Sequence, residues 1–253
     1  MAKSAGMGQR FYIGGYGATV FAYDLSGDIG TMDNCHGGPA PLDITAINAS
    51  AMERIGGVRD GGMDWTAFFN AAISQEHEAF SRLPSGDVLA MYLASTTVGD
   101  PVACLYGPTP NYAGKRGANG SLLFSVPMQG DGYGLEWCQL LKAKSTDASA
   151  RNGASIDYGA ASTLFGASCY VVCFSLSSGS MLPEIQDSAD NSTFAAISGM
   201  TLGTVTTAGA NAAQRVQSAT GATIRRYVRI ASTGSFTNAS VAAAFIRHLT
   251  ATL

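Results

Sequence analysis

The stretch ASCYVVCFSLSSG, residues 167–179, decides the fold class of this chain. It is rich in apolar, β-branched and aromatic residues and ends in a Ser-Gly turn, which is typical of a β-strand. Three similar stretches follow at residues 184–199, 223–234 and 239–249, separated by Ser, Thr, Asn and Gly. Short strands with this spacing predict an all-β sandwich for the C-terminal part of the chain.

The preceding part of the chain also indicates strands, with little helix. FYIGGYGATVFAYDL, residues 11–25, predicts a strand or an extended arm, and further strands are predicted within residues 62–70, 85–96, 101–112 and 120–141. The best helix candidate is ISQEHEAFSRL, residues 73–83, which we expect to end at Pro84. A shorter helix is predicted at residues 46–54, before Gly56 and Gly57. The predicted fold class is therefore mainly β.

A polar stretch, LKAKSTDASARNGASIDYG at residues 141–159, interrupts these strands and is interpreted as a linker or a long loop. We place a domain boundary near residue 150, which gives units of residues 1–148 and 150–253. The first part, up to residue 149, carries 14 acids and 9 bases, whereas residues 150–253 carry 4 acids and 6 bases, all of them Arg. The first part therefore has a net charge of −5, and the second part has a net charge of +2.

The composition indicates a surface that other subunits cover. Apolar residues make up 46% of the chain and charged residues only 13%, well below the usual quarter. The net charge of −3 argues against a nucleic-acid clamp. Because no stretch has the pattern of a signal peptide or a membrane span, we expect the protein to be made and assembled in the cytoplasm, with its five cysteines reduced.

The stretch AYDLSGDIG, residues 22–30, begins like a calcium loop, because carboxylate and hydroxyl side chains alternate at Asp24, Ser26 and Asp28. An EF-hand loop needs Gly at its sixth position and Glu at its twelfth, and these positions are Ile29 and Cys35. A polar turn is the alternative, since Asp and Ser side chains bond the local backbone and Gly27 is expected to adopt a positive φ. We expect no metal and no cofactor.

The residues that an enzyme would need are scattered. The three histidines, His36, His77 and His248, have no partnered nucleophile in the sequence, and no phosphate-binding or nucleophile-elbow motif occurs. Arg225, Arg226 and Arg229 surround Tyr227, but on a strand they divide between two faces, so a solvated or interface surface is favoured over a nucleic-acid site. We expect the protein not to be an enzyme.

Four stretches in order along the chain carry a resemblance to a known family: YDLSGDIG at 23–30, INASAMERIGGVRDGGMDWTAFFN at 47–70, AFSRLPSGDVLAMYL at 79–93 and GLEWCQLL at 134–141. Together they resemble the major tail tube proteins of long-tailed bacteriophages, particularly phages of actinobacteria. The later stretches, residues 186–199 and 225–248, are similar to the C-terminal β-sandwich domain of some of these proteins. The resemblance covers most of the chain.

The resemblance implies a tail-tube β-sandwich or barrel with a flanking α-helix, followed by a second β-sandwich that decorates the tube. It implies six-membered rings that stack into a virion tube for DNA delivery. The DNA would pass without specific binding, and the acidic first part would line the lumen. Expected partners are other copies of the chain, the tape measure, terminator and distal tail proteins, and host-surface glycan at the C-terminal domain. The expected site is an assembly turn made of Asp24, Leu25, Ser26, Gly27 and Asp28.

Two other functions stay open from the sequence. The C-terminal part could make the chain a glycan-binding module that displays loop 186–191, although residues 150–253 contain no Trp to serve as a sugar platform. A capsid decoration protein would also be a β-rich virion component. Both alternatives predict a different assembly from a tube.

Overall fold

The computed structural model describes residues 7–17, 20–83, 86–159 and 162–250. Strands take up 57% of the described residues and helix 2%, which confirms the predicted mainly β class. The elements are β1 Arg10–Gly14, β2 Tyr23–Asp24, β3 Ile29–Asp43, β4 Arg54–Phe68, α1 Glu76–Phe80, β5 Val88–Leu93, β6 Pro101–Gly107, β7 Ala113–Arg116, β8 Leu122–Gln129, β9 Glu136–Asp147, β10 Arg151–Asp157, β11 Ala167–Ser188, β12 Ala195–Ala196, β13 Val205–Thr206, β14 Ala213–Gln217 and β15 Tyr227–Arg247.

The larger sheet, sheet A, has the strand order β12-β11-β15-β9-β6-β5-β1-β2, with β13 and β14 on β11 and β10 on β15. All of its pairings are antiparallel. The sheet curls back on itself, because the backbone N–H of Ala22, beside β2, donates to the carbonyl of Cys173 on β11 at 2.9 Å. Six strands therefore enclose a barrel-like interior.

Alternation of side chains along these strands fills that interior. Tyr12, Met91, Cys104, Tyr170 and Ala244 are five of its buried residues, contributed by β1, β5, β6, β11 and β15. Their sequence neighbours face the opposite side of the sheet and build two further cores. One lies between sheet A and sheet B, and the other lies on the outer side of β11 and β15.

The smaller sheet, sheet B, has the order β3-β4-β8-β7. Its inner face places Met63, Trp65, Val126 and Met128 in the core it shares with sheet A. Trp65 is fully buried, and its ring centroid lies 4.7 Å from that of Phe11 on β1. This contact fixes sheet B against the barrel wall.

The two predicted helices had different outcomes. The helix at residues 73–83 is confirmed in part, as the five-residue α1; its predicted end, Pro84, lies outside the described residues. The helix at residues 46–54 is wrong. Residues 44–53 instead connect β3 to β4, with Asp43 paired to Arg54. The pairing of β3 with β4 on either side of this connection outweighed the local helix propensity of residues 46–54.

The predicted linker is also wrong, because residues 141–147 lie in β9 and residues 151–157 form β10. Strand β9 pairs with β15, with Ala239 opposite Asp147 and Phe245 opposite Gln139. The barrel thus takes β1, β5, β6 and β9 from before residue 148 and β11 and β15 from after residue 150. Independent folding of 1–148 and 150–253 stays a prediction, but a division there cuts this sheet.

Candidate functional site

The predicted assembly turn is bonded to its own chain. The Asp24 carboxylate accepts from the Ser26 hydroxyl at 2.6 Å and from the Lys144 ammonium at 2.7 Å, and the Ser26 hydroxyl accepts from the backbone N–H of Phe11 at 3.0 Å. Burial alone would raise the pKa of Asp24, but the hydrogen bonds from Lys144 and Ser26 outweigh it and lower that pKa. Leu25 is fully buried. These side chains tie β1, β2 and β9 together.

Asp28 holds the start of α1. Its two carboxylate oxygens accept from the Asn70 side-chain amide at 2.8 Å and from the backbone N–H of Glu76 at 3.1 Å. Its backbone carbonyl accepts from the N–H of Phe68 at 2.8 Å. The side chain is 6% exposed, so this residue acts inside the fold.

Gly27 is the exposed member of the turn, and a Cβ added there would meet no atom within 4 Å. The sequence predicts a positive φ at this glycine, which is wrong: Gly27 is absent from the residues with that conformation. Within the described ranges, no group of three His, Cys, Asp or Glu side chains is placed to hold a metal ion. An assembly role of Asp24, Leu25, Ser26, Gly27 and Asp28 stays a prediction.

The outer part of the β3–β4 hairpin contacts little besides itself. Strand β8 pairs with β4 only over Gly62–Phe68, so Arg54–Asp60 of β4 pairs with β3 alone. The Arg59 guanidinium also lies 3.9 Å from the Glu136 carboxylate. The connection is ordered by Thr45, whose hydroxyl accepts from the Glu53 N–H at 2.8 Å. A two-stranded ribbon is marginally stable in water without further contacts. This projecting ribbon is a candidate contact surface.

We name the outer part of the hairpin, residues 42–58, the hairpin tip. Six large apolar side chains on it are exposed: Leu42 50%, Ile44 50%, Ile47 108%, Met52 61%, Ile55 50% and Val58 87%. Exposed apolar groups concentrated in this way mark interaction sites. Reasoning from the sequence missed this surface, because it assigned these residues to a helix.

Sheet B presents a polar outer face. Since Met63, Trp65 and Ala67 are buried, the intervening Asp64 and Thr66 point away from the core. The Asp33 carboxylate joins them, accepting from the Thr66 hydroxyl at 2.7 Å. Both edges of sheet B, β3 and β7, lack a strand partner among the described residues.

A buried polar cluster joins strands that are distant in sequence. The carboxylate of Glu136 on β9 accepts from the Arg215 guanidinium at 3.0 Å, from the Ser168 hydroxyl at 3.1 Å and from the Tyr170 hydroxyl. Glu136 and Arg215 are 2% and 4% exposed. Burial, reinforced by the Glu136 charge, raises the pKa of Tyr170. Sequence reasoning missed this ion pair, because 79 residues separate its partners and neither lies in a recognisable motif.

The same cluster places Ser168, His248 and Glu136 together, but not in the order of a catalytic triad. His248 Nε2 lies 3.1 Å from Ser168 Oγ and 3.9 Å from the Glu136 carboxylate, so one ring nitrogen faces both groups. In a triad the acid bonds the other ring nitrogen. Burial lowers the pKa of His248, which favours its neutral form. We interpret the cluster as a structural tie.

The remaining histidines and the arginine group lie apart from this cluster. His36 is exposed on β3, and His77 Nδ1 lies 3.1 Å from the Tyr112 hydroxyl. Arg225 pairs with Asp187 at 2.6 Å. Arg226 pairs with Asp157 at 2.6 Å, and Arg229 bonds Gln186 at 2.9 Å. Loop 186–191, the predicted glycan loop, thus directs Gln186 and Asp187 to partners in its own chain.

No family model matches the sequence, and no curated protein matches it. The crystal structure of the SPP1 Dit (gp 19.1) protein, described as a paradigm of hub adsorption apparatus in Gram-positive infecting phages, is similar at a TM-score of 0.32 and 12% identity. That similarity covers 94% of this chain and 99% of the Dit chain. The similar protein is a phage hub protein and not a tail tube protein.

Over the residues with described positions, no helix has the length and apolar content needed to cross a bilayer.

Proposed function

We propose that this protein is a structural subunit of a phage tail tube, in which copies join into rings and the rings stack into a conduit for DNA. The observation that carries the proposal is the pair of open edges on sheet B. Together with the order of the four family-like stretches in the sequence, it supports lateral assembly. Six copies per ring follow from the resemblance.

The open edges give a physical route to a ring. An exposed edge strand offers unpaired N–H and C=O groups that another chain can pair with. The two edge strands differ in length, with 15 residues in β3 and 4 in β7. In a head-to-tail arrangement, β7 of one copy would pair with β3 of the next copy. A head-to-tail contact of this kind closes into a ring when its rotation closes. Sheet B would then line the inside.

The outer face of sheet B suits a channel for DNA. Asp33 and Asp64 contribute negative charge, and Thr66 and Ser125, which are paired across the sheet, contribute hydroxyl groups. Carboxylates repel phosphate, so DNA would slide without adhering. Lys115, near the β7 end of the sheet, adds a positive charge at its margin.

In this proposal the chain works without catalysis or a bound cofactor. Its partners are other copies of itself and the tail proteins at each end of the tube, and it reaches the virion by assembly in the host cytoplasm. A glycan-binding role would need exposed, unengaged groups on loop 186–191. The internal bonds of Gln186 and Asp187 do not favour that alternative.

Electron microscopy of the purified full-length protein at high concentration tests the proposal, with stacked rings as the expected result. A second measurement locates the contact. Ala113→Cys on β7 should cross-link through a short bismaleimide to Asn34→Cys on β3 of the next copy, and each cysteine variant therefore carries Asn34→Cys, at an exposed position of β3. Four native cysteines are buried, and Cys35 packs against the core between the sheets. The expected product is a ladder of covalent multimers that stops at the ring size.

Leu164→Cys is the matched control, because Leu164 is exposed but lies outside sheet B. It should give no ladder. If Ala113→Cys and Leu164→Cys cross-link equally, or if the protein stays monomeric in the microscope, edge-to-edge ring closure is refuted. Capsid-bound trimers would favour the decoration function in its place.

A further inference from the structure

A cleft of about 520 Å³ lies where α1 meets β2 of sheet A. Gln75, Glu78 and Arg82, in and beside α1, line one wall of the cleft. Asp24 of β2 and Lys144 of β9 line the other wall. Small-molecule sites in proteins occupy roughly 300–1,000 Å³, so this cleft has the size of a ligand site.

The two walls of the cleft are joined to each other, so its shape is set before any ligand enters. The Tyr23 hydroxyl of β2 donates to Glu78 Oε1 at 3.2 Å, and the Ser74 N–H donates to Glu78 Oε2 at 2.7 Å. Ser74 lines the cleft and has a φ of 62°, a conformation that residues other than glycine adopt rarely and that is concentrated at functional sites. A site that is already ordered loses less entropy when a ligand binds.

The cleft carries two ion pairs and no net charge. Lys144 Nζ lies 2.7 Å from Asp24 Oδ2, and an Arg82 guanidinium nitrogen lies 3.1 Å from Glu78 Oε1. The exposed fractions of these four side chains lie between 25% and 41%, so a ligand can reach them. Among the described residues that line the cleft, they are the only charged ones. An ionic ligand therefore meets a repelling group beside each attracting group.

Both carboxylates of the cleft are hydrogen-bond acceptors at neutral pH. The hydrogen bond from the Ser74 N–H, together with the Arg82 charge, lowers the pKa of Glu78. The hydrogen bonds that Asp24 accepts lower its pKa in spite of its burial. The ammonium and guanidinium groups only donate. The cleft thus presents an acceptor beside a donor on each wall.

We propose that this cleft binds a pyranose ring of an uncharged saccharide. A sugar hydroxyl donates and accepts at once, and adjacent ring hydroxyls lie about one hydrogen-bond length apart. One hydroxyl donates to the Asp24 carboxylate while its neighbour accepts from the Lys144 ammonium. Glu78 and Arg82 bond a second pair of hydroxyls in the same way. Hydrogen bonds to charged groups are stronger than neutral ones, which offsets the loss of water from the cleft.

Uncharged and aromatic groups complete the site. The Gln75 side chain makes no capping bond to α1, so its amide can bond a further hydroxyl. Phe21 and Phe174 also line the cleft and offer apolar surface to the C–H groups of the ring. This site is an addition to the proposed function, does not depend on ring closure, and uses no residue of loop 186–191.

Saturation-transfer NMR on the full-length protein tests the site, with the methyl glycosides of glucose, galactose, mannose, rhamnose and N-acetylglucosamine as probes. At least one of them should bind with a Kd of about 1 mM or lower. Arg82→Met should raise that Kd about tenfold, because a charged hydrogen bond is lost. Arg226→Met is the matched control, since both arginines are 41% exposed and each forms an ion pair, but Arg226 lies outside the cleft. The control should leave the Kd unchanged.

A second variant separates binding from folding. Gln75→Ala should raise the Kd about fivefold and leave the Tm within about 2 °C of the parent, because the side chain caps nothing. Failure of the parent to bind any of these glycosides, or equal effects of Arg82→Met and Arg226→Met, would overturn the inference. Tighter binding of glycine, a zwitterion, than of any glycoside would overturn it as well. Rings in the microscope without saccharide binding would refute this site alone and leave the proposed function standing.

Discussion

Replacement of Glu136 by glutamine tests whether the buried polar cluster holds the two parts of the chain together. The substitution preserves shape but removes the negative charge that faces Arg215, whose side chain is 4% exposed. The guanidinium would then be a buried charge without a counter-ion. Removal of one partner of a buried ion pair costs about 3–5 kcal/mol. For a domain of this size that corresponds to a fall in Tm of about 10 °C.

The free energy of unfolding would be measured by urea titration at pH 7, with thermal unfolding as a second readout. Glu136→Gln combined with Arg215→Met should be less destabilised than Glu136→Gln alone, because the uncompensated charge is gone. Asp157→Asn, which breaks the exposed pair with Arg226, is the matched control and should lose much less. A loss of less than about 1 kcal/mol for Glu136→Gln would refute the assignment of the cluster as a structural tie.

Three further predictions concern the domain boundary and the turn. The sequence predicts that residues 1–148 fold alone, whereas the structure predicts that a chain ending at Ala148 is insoluble or unfolded, because β9 loses its β15 partner and the barrel loses two strands. Soluble, cooperative unfolding of this fragment would support the prediction from the sequence. Gly27→Val should leave the Tm within about 2 °C of the parent, because its Cβ meets open space. A large fall in Tm would contradict an open position at this turn. Asp24→Asn should remove a stabilising contribution at pH 7. In the parent that contribution is present above the ordinary aspartate pKa of about 3.9 and is lost as the pH falls through the lower pKa of the folded state, so an unchanged acid-unfolding curve would contradict the Lys144 pairing.

Local patterns in the sequence were enough to predict the class of fold. The alternation within residues 101–107 and the apolar run of residues 167–173 correspond to β6 and the start of β11. The helix at residues 73–83 was found as well, although only its centre is helical. The hydrogen bond from Ser26 to Asp24 was predictable too, because it spans two residues.

Two predictions, the helix at residues 46–54 and the linker at residues 141–159, were wrong because the local composition favours one structure and the strand pairing imposes another. Ala, Met and Glu within residues 46–54 favour a helix, but the pairing of the flanking strands placed them at the end of a hairpin. Residues 141–159 are polar because this part of β9 and β10 is largely exposed, and a polar strand has the composition of a loop. Gly and Pro around residues 39–57 were the available signal for a hairpin.

The sequence by itself determined that the chain is built mainly from β-strands, since side-chain alternation and turn residues act over a few positions. Only the tertiary structure decided which strands pair and which side chains meet. Lys144 reaches Asp24 across 120 residues, and Arg215 reaches Glu136 across 79. The barrel that joins both parts of the chain, and the exposure of the hairpin tip, depend on such long-range pairing. No pattern of neighbouring residues encodes these contacts, because they form when the whole sheet closes.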